Sequence, residues 1–298
     1  MSKKRTITGI FLSIFLALSI ALIGGEGYNL VLPALYIFLV HWVFFFHAYF
    51  FQTEHYFDAI GSLIFISLSL IALYFFRNIY SVIIGIMVIT WALRLGSFLF
   101  TRVKEAGKDS RFTEMKKDFL WFLLTWSISG LWVFLTYAAG LNAMISSENF
   151  GFSDLDLIEY LGIIVGSIFW LLGFLLEVIS DYQKRTFRKN PKNLDKFIVH
   201  GLWAWSRHPN YFGEILLWFG IAIIALPTLE GWRYITLISP LFVYLLLTRV
   251  SGIPILERAA NKKWGDDPKY LSYKKNTPLL VLRKPKNSER LIGNKIVF

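Results

Sequence analysis

The stretch that decides the fold covers residues 157–191 and reads LIEYLGIIVGSIFWLLGFLLEVISDYQKRTFRKNP. Its first part, residues 157–179, is almost continuously apolar and is long enough to cross a bilayer as one helix, since about 20 apolar residues suffice. Its second part is polar and basic, and Pro191 is expected to end the helix near Lys189. The pattern predicts one membrane span that continues into water as a basic helix.

Similar apolar runs recur along the whole chain. We predict eight spans, at residues 7–24, 30–51, 58–76, 79–100, 119–137, 157–179, 211–226 and 234–247. The composition agrees, because 55% of the residues are hydrophobic and only 17% are charged, against about 25% charged in an average soluble domain. The predicted fold is all-α, a polytopic transmembrane helix bundle of about seven to eight spans. A soluble enzyme, a secreted disulfide scaffold and a disordered chain are excluded.

The basic residues sort to one side of these spans. The net charge is +11, and with a cytoplasmic N-terminus all 31 Lys and Arg residues except Arg77, Arg94 and Arg233 lie on cytoplasmic segments. Cytoplasmic loops are rich in Lys and Arg, so both termini are predicted to be cytoplasmic. The excess charge then reflects topology, and membrane lipids rather than nucleic acid are the expected macromolecular surroundings.

Four polar residues share one face of the basic helix. Glu177, Asp181, Arg185 and Arg188 are spaced at i, i+4, i+8 and i+11, which is a helical repeat. Arginine suits phosphate because its planar fork donates two hydrogen bonds, and the acids could hold a ribose or a base. The alternative is a solvated helix with i,i+4 ion pairs and a basic patch that faces lipid headgroups. Spacing leaves both readings open.

A second motif, SRHPNYFGE, occupies residues 206–214. Ser206 is the expected N-cap of the next span, with Pro209 in its first turn. A helix start presents free N–H groups and a positive dipole end, which suit an anionic group. Arg207 and His208 would reinforce such a site, although capping alone explains Ser206 and Pro209.

Two polar residues of this motif enter the membrane on one helix face. Asn210 and Glu214 are one turn apart, and a carboxylate at that depth is costly, so it usually marks a site or has a partner. Asn and Glu together could hold a carboxamide by complementary hydrogen bonds. We therefore expect both residues to be functional.

The histidines do not indicate a metal site. His41 and His47 lie in one span, but their i+6 spacing places them on different helix faces. No carboxylate stands at ligand spacing with them, and the chain has no cysteine. Packed or hydrogen-bonded histidines are expected, and no metal is predicted.

The two motifs together resemble the C-terminal half of the steroid 5-alpha-reductase superfamily. The chain is most similar to the bacterial integral-membrane proteins of unknown function in that superfamily, and FRKNP at residues 187–191 is similar to the sterol delta-14 reductases. Three further strings fit the same bacterial group: WALRLGS at 91–97, GKDSRF at 107–112, and SGIPILE at 251–257, which is followed by Tyr270 and Tyr273.

This resemblance implies a bundle that holds NADPH at its cytoplasmic mouth. It implies that Glu177 and Asp181 contact the adenosine end and that Arg188 and Lys196 contact the phosphates. It also implies that Asn210 and Glu214 lie towards the nicotinamide. Tyr273 would come from the last cytoplasmic segment. The motifs and the resemblance together give these candidate cofactor-binding residues: Glu177, Asp181, Arg185, Arg188, Lys196, Arg207, His208, Asn210, Tyr211, Glu214 and Tyr273.

Reduction of a C=C conjugated to a ketone needs a donor that faces the carbonyl oxygen, where negative charge builds up. The resemblance implies a Glu in an early helix and a Tyr in a later one. The early helices offer Glu54, Tyr56 and Asp58, and Trp91 stands where the steroid enzymes have the Tyr. Arg94, one turn from Trp91, is expected to face the bundle interior and to pair with Asp58, Glu54 or the cofactor. These five residues are the catalytic candidates.

The sequence therefore predicts an NADPH-dependent membrane reductase of a lipophilic, steroid- or isoprenoid-like substrate. Residues 1–118 are predicted to be the substrate side and residues 119–298 the cofactor-binding half, in a bacterial inner membrane with the cofactor site facing the cytoplasm.

Two alternatives stay open. One is an S-adenosylmethionine-dependent membrane methyltransferase of the isoprenylcysteine carboxyl methyltransferase type, which shares the Arg-His-Pro-x-Tyr-x-Gly element. The other is a non-enzymatic membrane protein. The arginines beside Asp181 favour a dinucleotide, because S-adenosylmethionine has no phosphate.

Overall fold

A computed structural model describes residues 2–27, 29–107, 109, 112–146 and 151–285. Within these ranges the secondary structure is helical and contains no strand. The α-helices are α1 (Lys3–Gly24), α2 (Val31–Phe50), α3 (Phe57–Phe75), α4 (Ile79–Ala106), α5 (Phe119–Ser146), α6 (Leu157–Lys189), α7 (Pro209–Ala225), α8 (Ile238–Leu245), α9 (Ile253–Trp264) and α10 (Pro268–Asn276). Lys108, Ser110 and Arg111 of the GKDSRF string lie outside the described residues.

Among the described residues, eight helical stretches are long and apolar enough to cross a membrane, so the predicted all-α polytopic bundle is confirmed. The eighth stretch begins at Gly231 rather than at residue 234. The reason is that a 3-10 segment over Gly231–Leu237 leads directly into α8, and a π-helical turn over Leu246–Val250 follows. The cytoplasmic placement of the termini stays a prediction.

The single long helix predicted from residues 157–191 is present. Helix α6 runs from Leu157 to Lys189 without interruption. Asn190 then leaves the helical conformation with φ −82° and ψ 117°, and its side chain accepts a hydrogen bond from the Lys192 amide as Pro191 starts a short 3-10 turn. A continuous rod thus carries the polar face of α6 out of the apolar span.

The chain divides into two compact units. The first comprises Met1–Gly166 and Ile221–Ser239, and within it α5 packs against α1, α2, α3 and α4. Buried hydrogen bonds cross this core: Tyr137 Oη lies 2.6 Å from Ser69 Oγ, and Asn142 Nδ2 donates to the Gly24 carbonyl oxygen at 2.8 Å. The first unit is therefore an apolar bundle that is crossed by a few buried hydrogen bonds.

The second unit comprises Ser167–Gly220 and Pro240–Phe298. It contains the C-terminal half of α6, the start of α7, and α8 to α10 with their connections. Both motifs singled out from the sequence fall in this unit. The functional division at residue 118 is a separate matter and stays a prediction.

Candidate functional site

Two glycines let α6 and α7 approach backbone to backbone. A Cβ added at Gly173 would lie 2.5 Å from the Gly213 carbonyl oxygen, and one added at Gly213 would lie 2.6 Å from the Gly173 carbonyl oxygen and 2.7 Å from the Glu177 amide nitrogen. Small residues at a membrane helix crossing permit such contact. The crossing lies one turn from Glu177 on α6 and next to Glu214 on α7, so it positions the acids of both motifs.

The acids at this crossing are buried. Glu177, Asp181 and Glu214 are 2%, 6% and 8% exposed. Asn210 Nδ2 donates a hydrogen bond to Asp181 Oδ1 at 3.1 Å, which joins the two sequence motifs. Asn210 Oδ1 is buried and has no hydrogen-bond partner in the described part of the chain.

Basic side chains follow the buried acids along α6. Arg185 is half-buried, whereas Arg188 and Lys196 are exposed. Since a helix rises about 1.5 Å per residue, the two arginines lie within two turns of Asp181. The arrangement offers carboxylates at depth and guanidinium groups nearer to water.

The connection between α6 and α7 is folded back onto α6. Gly201 has φ +61°, and a Cβ there would lie 2.5 Å from the amide of Gln183, whose Oε1 accepts the Leu202 N–H at 3.0 Å. Trp203 is buried and donates its Nε1–H to the Ser180 carbonyl oxygen at 3.0 Å. Glycine is favoured at residue 201 because other residues rarely adopt this positive φ, and a side chain there would also displace the Gln183 amide.

Tyr273, a predicted cofactor contact, supports this connection. Its hydroxyl donates to the Trp203 carbonyl oxygen at 2.7 Å. Burial raises the pKa of the Tyr273 phenol, which keeps the hydroxyl protonated as a donor. A contact between Tyr273 and a cofactor stays a prediction.

A cluster around Glu257 of α9 holds the start of α7. Arg207 Nη1 lies 2.5 Å from Glu257 Oε2, and His208 Nε2 lies 3.0 Å from Glu257 Oε1. Lys274 Nζ is 3.7 Å from Glu257 Oε2. Sequence reasoning missed Glu257 as a functional candidate, although it closes the SGIPILE string at residues 251–257.

His208 is 5% exposed and has one unsatisfied nitrogen. Burial lowers the pKa of His208, and the hydrogen bond to Glu257 only partly offsets this, so the ring is neutral near pH 7. His208 Nδ1 and Arg207 Nε are buried without a hydrogen-bond partner in the described residues. The ring of Tyr211 stacks parallel to His208, with centroids 5.8 Å apart and an interplanar angle of 9°.

Ser206 does not occupy the N-cap position predicted for it. Helix α7 begins at Pro209, so His208 occupies the N-cap position. The Ser206 hydroxyl accepts the His208 N–H at 3.1 Å and donates to the Leu280 carbonyl oxygen at 2.7 Å. The hydroxyl therefore links the start of α7 to the segment after α10. Ser206 is not the N-cap because the helix begins three residues after it, at Pro209.

The acidic catalytic candidates lie at the entrance to α3. Glu54 is 3% exposed, and its carboxylate accepts hydrogen bonds from Lys116 Nζ at 2.6 Å and from the Asp109 amide at 3.1 Å. Asp58 Oδ2 is 3.7 Å from Arg102 Nη2.

Tyr56 is half-buried, and its hydroxyl is hydrogen-bonded to His47 Nδ1. Burial raises the pKa of the Tyr56 phenol. Tyr56 is thus a protonated phenol that already has an imidazole partner.

The two remaining candidates lie on α4. Trp91 is buried and meets the ring of Phe65 edge-on, with centroids 5.1 Å apart. Arg94 is half-buried, with its guanidinium 5.4 Å from the centroid of the Phe98 ring. The predicted ion pair of Arg94 stays a prediction.

The predicted hydrogen-bonded histidine is present in α2. His41 is fully buried, with Nδ1 2.8 Å from the Ile37 carbonyl oxygen and Nε2 3.1 Å from Ser129 Oγ. Among the described residues, no group of three or more His, Asp or Glu side chains could hold a metal ion.

The second unit has a donor and acceptor set that fits a phosphorylated dinucleotide. Buried carboxylates at Glu177 and Asp181 suit ribose hydroxyls, and the arginines at the end of α6 suit phosphates. The unpartnered acceptor at Asn210 Oδ1 indicates a missing hydrogen-bond donor, since buried polar atoms are normally satisfied.

The sequence is similar to several known proteins. Residues 44–277 match a family described as a protein of unknown function (DUF1295). The chain belongs to this family. Together with the relatives described next, the match supports membership of a steroid 5-alpha-reductase-like superfamily.

Curated relatives cover only part of the chain. The 3-oxo-5-alpha-steroid 4-dehydrogenase 1 of Bos taurus is 30% identical over 102 residues, which is 34% of this chain and 39% of the relative. The Delta(14)-sterol reductase of Arabidopsis thaliana is 28% identical over 115 residues, 34% of this chain and 25% of the relative. The probable O-methyltransferase ustE of Ustilaginoidea virens is 27% identical over 104 residues, 35% of this chain and 34% of the relative. No solved structure matches the chain.

Proposed function

We propose that this integral membrane protein is an NADPH-dependent reductase of a lipophilic substrate that carries a C=C conjugated to a carbonyl. The observation that carries the proposal is the Asp181–Asn210 hydrogen bond, which brings the basic face of α6 to the start of α7. The names of the bovine and plant relatives, a steroid dehydrogenase and a sterol reductase, support this class of activity.

Each part of the dinucleotide would have a counterpart in the second unit. Glu177 and Asp181 would accept hydrogen bonds from the adenosine ribose, and Arg185, Arg188 and Lys196 would neutralise the phosphates. Asn210, Tyr211 and Glu214 would hold the nicotinamide end. We further propose that this site faces the cytoplasm of a bacterial cell, and the positive-inside rule applied to the basic segments supports this orientation.

Bound NADPH would supply a hydride to the β-carbon of the substrate. The protein must then deliver a proton to the α-carbon or the carbonyl oxygen, so that the C=C becomes CH–CH. Glu54 is a poor donor, because its carboxylate already accepts hydrogen bonds from Lys116 Nζ at 2.6 Å and from the Asp109 amide at 3.1 Å. Tyr56, whose phenol is protonated, is the strongest of the proposed donors, ahead of Asp58.

Trp91 and Arg94 complete the proposed catalytic set. An indole N–H or a guanidinium can stabilise a developing enolate by hydrogen bonding. Neither group can give up a proton to it, because the indole is only a hydrogen-bond donor and the guanidinium does not deprotonate in proteins. We propose stabilising roles for both residues.

The proposal is tested by titrating detergent-purified protein with NADPH, NADH and S-adenosylmethionine. We expect NADPH to bind, and Arg188→Ala to weaken its binding about ten- to hundredfold, the value of one or two charge-assisted hydrogen bonds. Lys192→Ala, which removes an exposed cation from the turn after α6, is the matched control and should change the affinity little. Absence of NADPH binding, or equal binding by Arg188→Ala, would refute the proposal.

A methyltransferase is the second candidate, because a probable O-methyltransferase is among the relatives. It predicts saturable binding of S-adenosylmethionine that does not depend on Arg185 or Arg188, since that molecule carries no phosphate. The same titration separates the two candidates.

A further inference from the structure

Two buried atoms at the start of α7, His208 Nδ1 and Asn210 Oδ1, are hydrogen-bond acceptors. In each residue a carboxylate accepts a hydrogen bond from the other polar atom of the side chain, and this contact determines which atom is the acceptor. Glu257 Oε1 accepts from His208 Nε2 at 3.0 Å, so the ring proton of neutral His208 is on Nε2 and Nδ1 bears a lone pair. Asp181 Oδ1 accepts from Asn210 Nδ2 at 3.1 Å, so the other amide atom of Asn210 is its oxygen. His208 Nδ1 and Asn210 Oδ1 are both buried without a partner among the described residues.

Neighbouring charges keep Glu257 in the form that this assignment needs. Arg207 Nη1 and Lys274 Nζ lie 2.5 and 3.7 Å from Glu257 Oε2, and a carboxylate flanked by two cations stays ionised. An ionised carboxylate only accepts hydrogen bonds. Glu257 thus fixes the tautomer of His208, as second-shell carboxylates do for catalytic and metal-bound histidines.

An unsatisfied buried acceptor is destabilising, because it has lost its hydrogen bond to water without gaining another. A ligand relieves this penalty only by bringing an N–H or O–H donor to the acceptor. Carboxylate, carbonyl and phosphate groups cannot do so, whereas a primary amide or an amino group has two N–H bonds to offer.

We propose that His208 Nδ1 accepts a hydrogen bond from an amide or amino N–H₂ group of the bound dinucleotide, and that Glu257 is the positioning residue that keeps this nitrogen an acceptor. The inference rests on the proposed function, which supplies the dinucleotide. Two groups of NADPH have the required chemistry, the nicotinamide carboxamide and the adenine amino group.

Binding of NADPH and of two analogues tests the inference. The 3-acetylpyridine analogue replaces the carboxamide by a methyl ketone, and the hypoxanthine analogue replaces the adenine amino group by a carbonyl. His208→Gln keeps a donor near the place of Nε2 for Glu257 but lacks the Nδ1 acceptor. We expect this variant to bind NADPH about five- to tenfold more weakly and to bind one of the two analogues as well as the wild type does.

Glu257→Gln tests the positioning role. Its amide can donate to His208 Nε2 and thereby moves the ring proton to Nδ1, so we expect a similar loss of NADPH affinity. The double variant His208→Gln/Glu257→Gln should be no weaker than either single variant, because both act on the same hydrogen bond. His200→Gln is the matched control: this histidine packs against Phe187 outside the cluster, and its loss should leave the affinity unchanged.

A spectroscopic readout keeps the tautomer assignment testable if Glu257→Gln folds poorly. The chain has five histidines, so ¹⁵N-histidine labelling gives a spectrum in which His208→Gln identifies the His208 signals. We expect an unprotonated Nδ1 in the wild type and a shift of that signal on addition of NADPH.

The outcomes separate the inference from the proposed function. Wild-type protein that fails to bind NADPH overturns both. Wild-type binding that His208→Gln leaves unchanged, a protonated Nδ1, or an equal loss of binding with all three dinucleotides overturns the inference and leaves the proposed function standing.

Discussion

Two buried carboxylates of this protein, Glu54 in the first unit and Asp181 in the second, have contrasting surroundings. Glu54 is held from both oxygens, by Lys116 and by the Asp109 amide. Asp181 accepts from Asn210, but Asn210 Oδ1 then has no partner in the described chain. Both carboxylates are almost equally buried, at 3% and 6% exposure, so burial does not distinguish them.

The difference lies in the hydrogen-bonding capacity that is left over. The Glu54 carboxylate and its two donors form hydrogen bonds with one another, as expected for a structural ion pair. Around Asp181 and Glu257, acceptors on Asn210 and His208 are fixed in place and left unsatisfied. A buried acid indicates a binding site when its partners retain unused capacity, because a ligand can then supply what the fold does not.

The largest expected effect is on stability at Glu54. Glu54→Ala should lower the free energy of unfolding by about 3–5 kcal/mol, because it leaves the Lys116 ammonium without its carboxylate. NADPH affinity of the folded fraction should not change. Thermal unfolding and NADPH titration in the same detergent measure the two quantities.

The control is Glu114→Ala, since Glu114 pairs with Lys117 at 2.9 Å but is 68% exposed. An exposed pair contributes about 0–1 kcal/mol, so this variant should be nearly as stable as the wild type. If Glu54→Ala were as stable as the wild type and lost turnover, Glu54 would be a proton donor rather than a member of a structural ion pair.

The next effect is at the α6–α7 crossing. Gly213→Ala places a Cβ 2.6 Å from the Gly173 carbonyl oxygen, which forces the helices apart. Overpacking of this kind costs about 1–3 kcal/mol, and the Asp181–Asn210 hydrogen bond would lengthen. We expect lower thermal stability together with about tenfold weaker NADPH binding, whereas Leu171→Ala on the exposed face of α6 should change neither. Loss of stability without loss of binding would show that the crossing does not position the site.

Much of the fold follows from the sequence because the membrane imposes simple rules. A run of about 20 apolar residues must form a helix in lipid, and Pro191 ends α6 where steric conflict with a helix predicts it. The start of α7 was harder, because Ser206 and Pro209 are each compatible with several registers. Only the three-dimensional contacts show that the Ser206 hydroxyl bonds the Leu280 carbonyl oxygen.

The site was predictable only in part. Glu177, Asp181, Asn210 and Glu214 could be chosen as candidates because polar residues at helical spacing are rare in apolar spans. Glu257 could not be found in the same way, because its role depends on contacts with residues about fifty positions earlier in the chain. For Glu54, a carboxylate at an early helix indicated a catalyst, while the ion pair with Lys116 is a long-range contact that no local pattern reveals.

A smaller effect is expected at Ser206, whose hydroxyl is satisfied on both sides. Ser206→Ala removes the bonds to the His208 amide and the Leu280 carbonyl oxygen, and should cost about 1–2 kcal/mol. The segment after α10 should loosen, so that trypsin cleaves faster after Arg283. Ser272→Ala on α10 is the control. Unchanged cleavage would show that the remaining bonds of this segment, such as Arg283 N to the Trp205 carbonyl oxygen, are sufficient.

The smallest expected effect is the pH dependence that His208 contributes to stability. Burial lowers the pKa of His208 below its ordinary value of about 6.5. Between the two pKa values, His208 is therefore protonated in the unfolded chain and neutral in the folded chain. Stability should therefore fall as the pH drops below about 6.5, and the loss should end at the lower folded pKa. Arg207, Lys274 and Lys184 oppose the extra charge, and Glu257 favours it.

Thermal unfolding of the wild type and of His208→Gln, from about pH 8 to about pH 5.5, measures this contribution. The variant cannot titrate at this position and should lose less stability on acidification. His200→Gln is the comparison, because burial also lowers the pKa of His200 although that side chain is far more exposed, so its effect should be smaller. A wild type that loses less stability on acidification than His208→Gln would mean that His208 is protonated more readily in the folded state than in the unfolded chain. Its Nδ1 would then donate a hydrogen bond rather than accept one. Asn210 Oδ1 would be the remaining buried acceptor that distinguishes the second unit from the surroundings of Glu54.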